Sequence, residues 1–347
     1  MDKTVTIYDI AREAGVSTAT VTRVLAGHKN VRQQTRERVQ RVIDQYGYTP
    51  SAFARGLENG HSHTIGIILP KVNNPYFAEL FASASDEAQR SGYSVWLRQI
   101  SDDETVGDSV VEELIYRRLE GALFMGGIWD DGTDTLRGML RKLGQYMPIV
   151  ALCAPHPDLQ CICLHNDLNG CMRSAVRHLH TLGHRRIAFI GGSSKVLDSG
   201  ARGQGFLDEM RLLGLEPVCM HEGGYDAPSG ERAVSRLLHG MPKNLWPTAL
   251  IAFNDLVALG AMKTLRQMGL HLPQDMAVIG CDNQFFCSFV DPPLTSMNLH
   301  TDEHARCAIR ELLAAQRNPT PPFTLMHDAT LVVRESCGVK LGYRKLD

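Results

Sequence analysis

Thr6-Ile7-Tyr8-Asp9-Ile10-Ala11-Arg12-Glu13-Ala14-Gly15-Val16-Ser17-Thr18-Ala19-Thr20-Val21-Thr22-Arg23-Val24-Leu25 reads as two short helices joined by a tight turn. Ile7, Ile10, Ala11 and Ala14 fall at i, i+3, i+4 and i+7, the apolar stripe of an amphipathic helix. Gly15 suits a left-handed helix end, where a Cβ would clash. Ser17 can cap the next helix, its hydroxyl accepting an orphan backbone N–H. Val21, Val24 and Leu25 then face inward, which leaves Thr18, Ala19, Thr22 and Arg23 as a short, hydroxylated and cationic outer face. Small Ala11 and Ala14 let the two helices pack closely. The pattern is a helix-turn-helix, whose second helix enters the DNA major groove with its N-terminal residues near base edges.

Glycine-turned helix pairs also occur in plain helical bundles, so the surroundings matter. A third helix follows, with Val39, Val42, Ile43 and Tyr46 apolar, Arg32, Arg36, Arg38 and Arg41 basic, and Gly47 at its end. Residues 1–60 carry nine Lys/Arg and six Asp/Glu, a balance of +3, whereas the rest of the chain carries −5. A basic head on an acidic body fits a small DNA-contacting module borne by a larger domain. The 347 residues, 44% hydrophobic and 21% charged, suffice for two or three globular units. No apolar run approaches the roughly 18 residues of a membrane span. The Met-Asp-Lys-Thr-Val-Thr terminus has no apolar signal core, so a cytoplasmic location is expected. Nine scattered cysteines suit reduced thiols in that compartment.

Residues 50–62 read as a linker with one helical segment. Pro50 stops what precedes it, Ser51 can cap a helix running to about Glu58, and Asn59-Gly60 closes it. With Gly56 inside and barely two turns, that helix should form only when docked. From Thr64 onward, apolar strand runs at 65–69, 94–97, 121–124, 149–152, 187–190, 249–252, 277–279 and 331–333 alternate with helical stretches. The latter span about 77–91, 104–119, 168–182, 201–213, 229–239, 255–268 and 302–316. Alternating βα units imply parallel sheets covered by helices on both faces. Two such sheets facing each other place a crevice at the strands' carboxyl ends. The expected fold is a small all-α helix-turn-helix head (1–49), a hinge helix or linker (50–62) and an α/β two-lobed core (63–347) of two doubly wound parallel sheets. Lobe one takes about 63–163 and 295–325, lobe two about 164–294 and 326–347.

With head, linker and body placed together, the chain resembles the LacI/GalR family of transcription regulators over essentially its whole length. The diagnostic stretches in the head are Ile7-Tyr8-Asp9-Ile10-Ala11, Ala14-Gly15-Val16-Ser17, Thr20-Val21-Thr22-Arg23-Val24-Leu25, Thr35-Arg36-Glu37-Arg38-Val39 and Tyr46-Gly47-Tyr48-Thr49-Pro50. In the body they are Asn74-Pro75-Tyr76-Phe77, Leu182-Gly183-His184-Arg185-Arg186-Ile187, Arg202-x-x-Gly205-Phe206, Asn254-Asp255-x-x-Ala258-x-Gly260-Ala261 and the run from Gly269 to Asp282. The resemblance implies a periplasmic-binding-protein-like effector core behind a DNA-binding head, working as a dimer on a pseudopalindromic operator.

Carried over by position, Thr18, Ala19, Thr22 and Arg23 occupy the base-reading helix, while Thr6, Tyr8, Ser17 and Asn30 match backbone-contacting positions. Phosphate contacts set register and groove contacts set sequence. Thr18 and Ala19 are shorter than the family's usual residues; they can touch a thymine methyl but cannot read guanine bidentately. Leu57 matches the hinge leucine that wedges into the central minor-groove step, with Ala54 one turn earlier allowing close helix pairing. Arg32 stands where the family has serine and forfeits an N-cap worth about 1 kcal/mol. Tyr76, Phe77, Arg202, Tyr225, Asn254 and Asp282 match positions lining the effector cleft. Forked donors and acceptors over an apolar floor suit vicinal hydroxyls, so a sugar or sugar derivative is the expected effector. Cys153 stands where an acidic residue is frequent, and Phe285, Phe286 and Phe289 are placed to shape the pocket or pack a hinge loop. No leucine-rich tail follows Arg334-Glu335-Ser336, which favours a homodimer.

Other functions fit less well. Cys161 and Cys163 share a strand face and His165 follows, but there is no C-x-x-C pair, so no metal site is expected. Asp255 with Asp282, or Ser193-Ser194, could be imagined as catalytic groups, yet no G-x-S-x-G elbow or Walker loop occurs, and neither an enzyme nor a cofactor is expected. A stand-alone sugar-binding protein would have an export signal and no such head. The remaining alternative is a co-repressor-dependent regulator answering to a nucleobase or nucleoside. In either regulator an effector shifts lobe orientation only by its differential affinity for two states.

Overall fold

The computed structural model describes residues 5–25, 27–28, 30–48, 62–100, 108–126, 134–154, 159–193, 197–221 and 223–339. The chain divides into two compact units, Met1–Ser62 and His63–Asp347.

In the first unit, α1 (Ile7–Glu13) opens with a capping box. The Thr6 hydroxyl accepts from the Asp9 N–H at 3.4 Å, and the Asp9 carboxylate accepts from the Thr6 N–H at 3.0 Å. The chain reverses at left-handed Gly15, where the Val16 N–H returns to the Ala11 carbonyl. Next come α2 (Thr18–Leu25) and α3 (Gln33–Tyr46), the latter starting at Arg32 with no side-chain cap and ending at left-handed Gly47. Ile10, Ala11, Ala14, Val21, Val24, Val39, Val42 and Ile43 close a three-helix core. Tyr46, expected on the apolar face, is exposed instead. The reversal at Gly47 brings Tyr48 back onto the core, its N–H bonded to the Ile43 carbonyl, and Tyr48 covers that end.

The second unit holds two six-stranded sheets. The first contains β1 (Thr64–Leu69), β2 (Ser94–Gln99), β3 (Ala122–Met125), β4 (Ile149–Leu152), β5 (Ile162–Asn166) and β11 (Thr324–His327), in the order β11-β5-β4-β3-β1-β2, all parallel. Helices α4 (Pro75–Arg90) and α11 (Thr301–Arg317) cover one face, and α5 (Asp108–Tyr116) and α6 (Asp134–Leu143) the other. The second sheet contains β6 (Ile187–Ile190), β7 (Cys219–His221), β8 (Ala249–Ala252), β9 (Ala277–Cys281), β10 (Thr295–Asn298) and β12 (Thr330–Val332), in the order β12-β10-β9-β8-β6-β7. Here β12 alone runs antiparallel, against β10. Helices α7 (Leu168–Thr181) and α8 (Leu197–Leu212) cover one face, α9 (Ala227–His239) and α10 (Asp255–Gln267) the other. The last two approach closely because Gly230 faces the Val257 carbonyl and Gly260 faces the Ala227 carbonyl, where a side chain would collide.

The chain crosses between sheets after β5, after β10 enters α11, and between β11 and β12. These crossings correct the expected lobe limits. β5 stays in the first sheet to Asn166, β10 belongs to the second because it pairs with β9, and β11 extends the first to His327. Three strands and one helix were not expected from sequence, β7, β10, β11 and α6, while β5 was expected only as the strand face shared by Cys161 and Cys163.

Candidate functional site

The first unit presents its candidate face on α2. Val21 and Val24 anchor the helix inward, so Ala19 and Arg23 are exposed and Thr18 and Thr22 half-buried. Ser17 caps this helix: its Oγ accepts from the Thr20 N–H at 3.2 Å and lies 3.0 Å from the Thr20 hydroxyl. Thr6 and Ser17 each open a helix, so exposed N–H groups gather near both, the arrangement that favours a phosphate. Tyr8 and Asn30 are exposed as well. Ala54 and Leu57 lie outside the described residues.

The second unit gathers its candidate residues at the carboxyl ends of the strands. Asp282 directly follows β9, Asn254 follows β8, Tyr225 comes after β7, and Arg202 lies on α8 after β6. Tyr76 and Phe77 open α4 after β1, where Asn74 caps the helix by accepting from the Tyr76 N–H at 3.0 Å. Their rings meet edge to face at 5.2 Å. Tyr76 packs against the cores of both sheets, so it spans the crevice between them. Phe77 instead lies over Gly126, within the first sheet's territory.

The polar pair is Arg202 and Asp282, with Nη2 and Oδ1 3.5 Å apart and both side chains more than nine-tenths buried. The guanidinium lies 4.1 Å over the Phe253 ring, which Tyr225 meets edge-on at 5.0 Å. Burial pushes the Asp282 carboxyl well above the usual carboxylate range; Arg202 opposes that, and the negative charges of Asp255 and Glu79 add to it. The Asp282 backbone sits at φ +106°, a region most side chains avoid, held there by its N–H on the Met297 carbonyl at 2.9 Å. Asn254 is largely committed to the fold. Its Oδ1 caps α10 by accepting from the Val257 N–H at 2.9 Å, and its Nδ2 donates to the Tyr225 carbonyl at 2.9 Å.

Sequence reasoning did not single out Phe253 or Gln284, and it weighed Asp255 only as an imagined catalytic partner of Asp282, yet all three organise this site. Phe253 is the platform under Arg202. Asp255, fully buried, accepts from the Ser296 hydroxyl at 2.6 Å, the Gln284 N–H at 2.7 Å and the Cys287 thiol at 3.1 Å, tying down the loop after Asp282. Gln284 in turn donates across the crevice to Glu79 on α4 at 3.2 Å. Gly280 was the available signal, since a strand-interior glycine marks a close approach, here of the Asp255 carboxylate. Of the three phenylalanines after Asp282, Phe286 packs into the core, whereas Phe285 and Phe289 are exposed. Cys153 is buried beneath the first sheet's end. Among the described residues no group of three His, Cys, Asp or Glu is arranged to hold a metal ion, and no helix is long and apolar enough to cross a membrane.

Comparison with known proteins gives consistent findings. A family model described as bacterial regulatory proteins, lacI family, matches residues 6–51, and one described as a periplasmic binding protein-like domain matches residues 176–337. The ribose operon repressor of Haemophilus influenzae is 31% identical over 337 residues, covering 95% of this chain and 98% of that protein. The lac repressor dimer bound to operator and the anti-inducer ONPF superposes with a TM-score of 0.86 at 25% identity, covering 96% and 99% of the two chains. The transcriptional regulator CelR in complex with cellobiose gives 0.71 at 28% identity, with 96% and 99% covered.

Proposed function

Because the chain belongs to the lacI family of bacterial regulatory proteins, and so is a DNA-binding transcriptional regulator rather than an enzyme, we propose that it is a cytoplasmic repressor whose hold on an operator is set by a small polyhydroxylated effector between its two lobes. The observation that carries the effector half is the buried Arg202–Asp282 pair at the strands' carboxyl ends, lying over Phe253 and beside Tyr225. A guanidinium and a carboxyl at one spot donate to and accept from neighbouring hydroxyls, and the aromatic faces receive the C–H side of a sugar ring. The structure of the related CelR with cellobiose supports that ligand class.

In this reading Thr18, Ala19, Thr22 and Arg23 read bases, and Thr6, Tyr8, Ser17 and Asn30 hold the phosphate backbone. Leu57, with Ala54, wedges the minor groove between paired hinge helices of a homodimer. Tyr76, Phe77, Arg202, Tyr225 and Asp282 contact the effector, and Asn254 contributes its one uncommitted N–H. A ligand that prefers one lobe arrangement shifts the population of the DNA-gripping state by that preference.

The test has two arms. Selection of bound duplexes from a random pool should return a pseudopalindrome, with affinity falling steeply as salt rises. Thermal shift against a panel of sugars and nucleosides should return a stabilising ligand whose effect Asp282→Ala abolishes. A protein with no preference among duplexes refutes the regulator reading, and an Asp282→Ala variant that keeps full ligand affinity removes Asp282 from the site.

A further inference from the structure

Among the described residues of the second unit, two pairs of cysteines lie in sulfur–sulfur contact, and they differ in surroundings. Cys161, just before β5, and Cys163, within it, have their Sγ atoms 3.9 Å apart, and Cys153 also bonds to Cys163. Cys171 on α7 and Cys281 at the end of β9 are also 3.9 Å apart. Cys161 lines a cavity of about 380 Å³ bounded by Tyr146, Met147, Gln160, Gln316 and Pro319. Neither Cys171 nor Cys281 borders that cavity or the one of about 240 Å³ beside α8, and Cys281 is fully buried. A hydroperoxide can therefore reach the first pair through this opening.

We propose that Cys161 and Cys163 form an oxidation site, which a small hydroperoxide entering through this cavity converts to an intrachain disulfide. Thiolates, not thiols, react with peroxides, and nearby donors favour the thiolate. Hydrogen bonds from Cys153 and Cys161 hold the Cys163 sulfur down at about 4, against the opposing pull of burial. Within this pair the two thiols differ, since contact with Cys163 and burial push Cys161 up, as contact with Cys171 and burial push Cys281 up in the second pair. The first pair thus gives up one proton readily, from Cys163, while Cys161 at the cavity wall keeps its own.

The Cys163 thiolate attacks one peroxide oxygen; an S–O bond forms, the O–O bond breaks, and the departing hydroxide takes the proton of the Cys161 thiol to leave as water. The Cys161 thiolate then attacks the Cys163 sulfenic sulfur; the S–S bond forms, the S–O bond breaks, and the second hydroxide takes up the proton that Cys163 released at the start. Two thiols are oxidised by two electrons, and one hydrogen peroxide is reduced to two waters. Cys161 lies in the bend that enters β5 and Cys163 within the strand, so the bond closes across a backbone that already turns there. The strand it would pin ends at Asn166, whose amide donates to the Leu299 carbonyl at 3.0 Å at a crossing between the sheets.

The test treats the full-length reduced protein with hydrogen peroxide, then alkylates it and maps the thiols by mass spectrometry. The expected result is a loss of two mass units and of two free thiols from the peptide holding Cys161 and Cys163, with Cys171 and Cys281 still alkylated after unfolding. Cys161→Ser and Cys163→Ser should each abolish the disulfide, and Cys171→Ser should leave it unchanged. Oxidation of both pairs alike, a disulfide to any other cysteine, or no disulfide at peroxide levels that oxidise exposed methionines would overturn the proposal. Circular dichroism of each Ser variant separates a lost reaction from a lost fold; should one unfold, mapping of the unmutated protein alone decides the matter.

Discussion

Arg202 Nη2 stands 3.5 Å from Asp282 Oδ1 while the guanidinium lies 4.1 Å over the Phe253 ring, so one cation is shared between a carboxyl and an aromatic face. Removing one member of a buried pair strands the other, which costs about 3 kcal/mol or more, whereas replacing both by neutral groups costs less than the sum. Arg202→Met should therefore lower unfolding stability by about 3 kcal/mol, Asp282→Asn by less, and the double variant by at least about 1 kcal/mol less than the two added. Urea unfolding of the four proteins measures the coupling. Strict additivity would mean that the two side chains do not act as a pair.

Asp255 gives a pH signature. Its carboxyl titrates at 3.8 in the open chain, and burial raises it to about 6 in the folded protein despite donors from Ser296, Gln284 and Cys287. Between those values the folded chain keeps a proton that the unfolded chain has released. The contribution is thus fully present below about 3.8, and it is lost as pH rises through about 6, a change of about 3 kcal/mol in all. Stability of Asp255→Asn should fall less than that of the unaltered protein between pH 4 and pH 6.5. Parallel pH–stability curves would show that Asp255 does not hold the proton.

Gly280 lets the Asp255 carboxylate approach β9, and a methyl group there would collide with Oδ1. The carboxylate anchors the loop of Asp282 and Gln284, so it cannot retreat without breaking bonds to Ser296 and Gln284. Gly280→Ala should cost about 2–4 kcal/mol, in the range of core overpacking with loss of buried hydrogen bonds. Gly138→Ala, in a helix where nothing lies within 4 Å, is the control and should be neutral or stabilising. Equal melting temperatures for the two variants would contradict the account.

Much of this was readable from residue order. The head followed from apolar spacing with Gly15, Ser17 and Gly47, because helix ends and packing stripes are local signals. Strands buried on both faces, such as Ile187–Ile190 and Ala249–Ala252, showed as unbroken apolar runs. β10 did not, because Thr295 and Ser296 are fully buried yet polar, satisfied by Ser336, Arg334 and Asp255 from elsewhere in the chain. β11 is an exposed edge and β7 spans three residues, so neither carries a pattern. In the cleft, matched positions located Arg202 and Asp282, but Phe253, just past the 249–252 strand, drew no reading. Its role depends on Arg202, 51 positions earlier, lying over its face, which no local spacing encodes.

Phe285 and Phe289 leave 76% and 82% of their surface exposed within five residues, at the start of the short helix Phe285–Ser288 and just past its end. A contiguous exposed apolar patch marks an association surface. In a homodimer that uses this surface, Phe285→Ser with Phe289→Ser should weaken self-association at least tenfold in sedimentation equilibrium while the melting of the monomer is unchanged. An unaltered dimer would place the interface elsewhere.

The head permits its two functions to be separated, because Ser17 and Arg23 sit at opposite ends of α2 with different partners. Ser17 is bonded to Thr20 and caps the helix, so Ser17→Ala should lower head stability by about 1 kcal/mol and weaken binding to every duplex alike. Arg23 is exposed and packs into no core, so Arg23→Ala should leave stability within about 0.5 kcal/mol. If Arg23 reads a base edge, its loss narrows the gap between operator and random duplex by about 1–3 kcal/mol at fixed salt. If it grips phosphate, affinity falls equally for both duplexes and the salt slope drops by about one. Fluorescence anisotropy with operator and scrambled duplex at several salt concentrations separates the outcomes, and the base-reading assignment stands only if the operator loses more than the scrambled sequence.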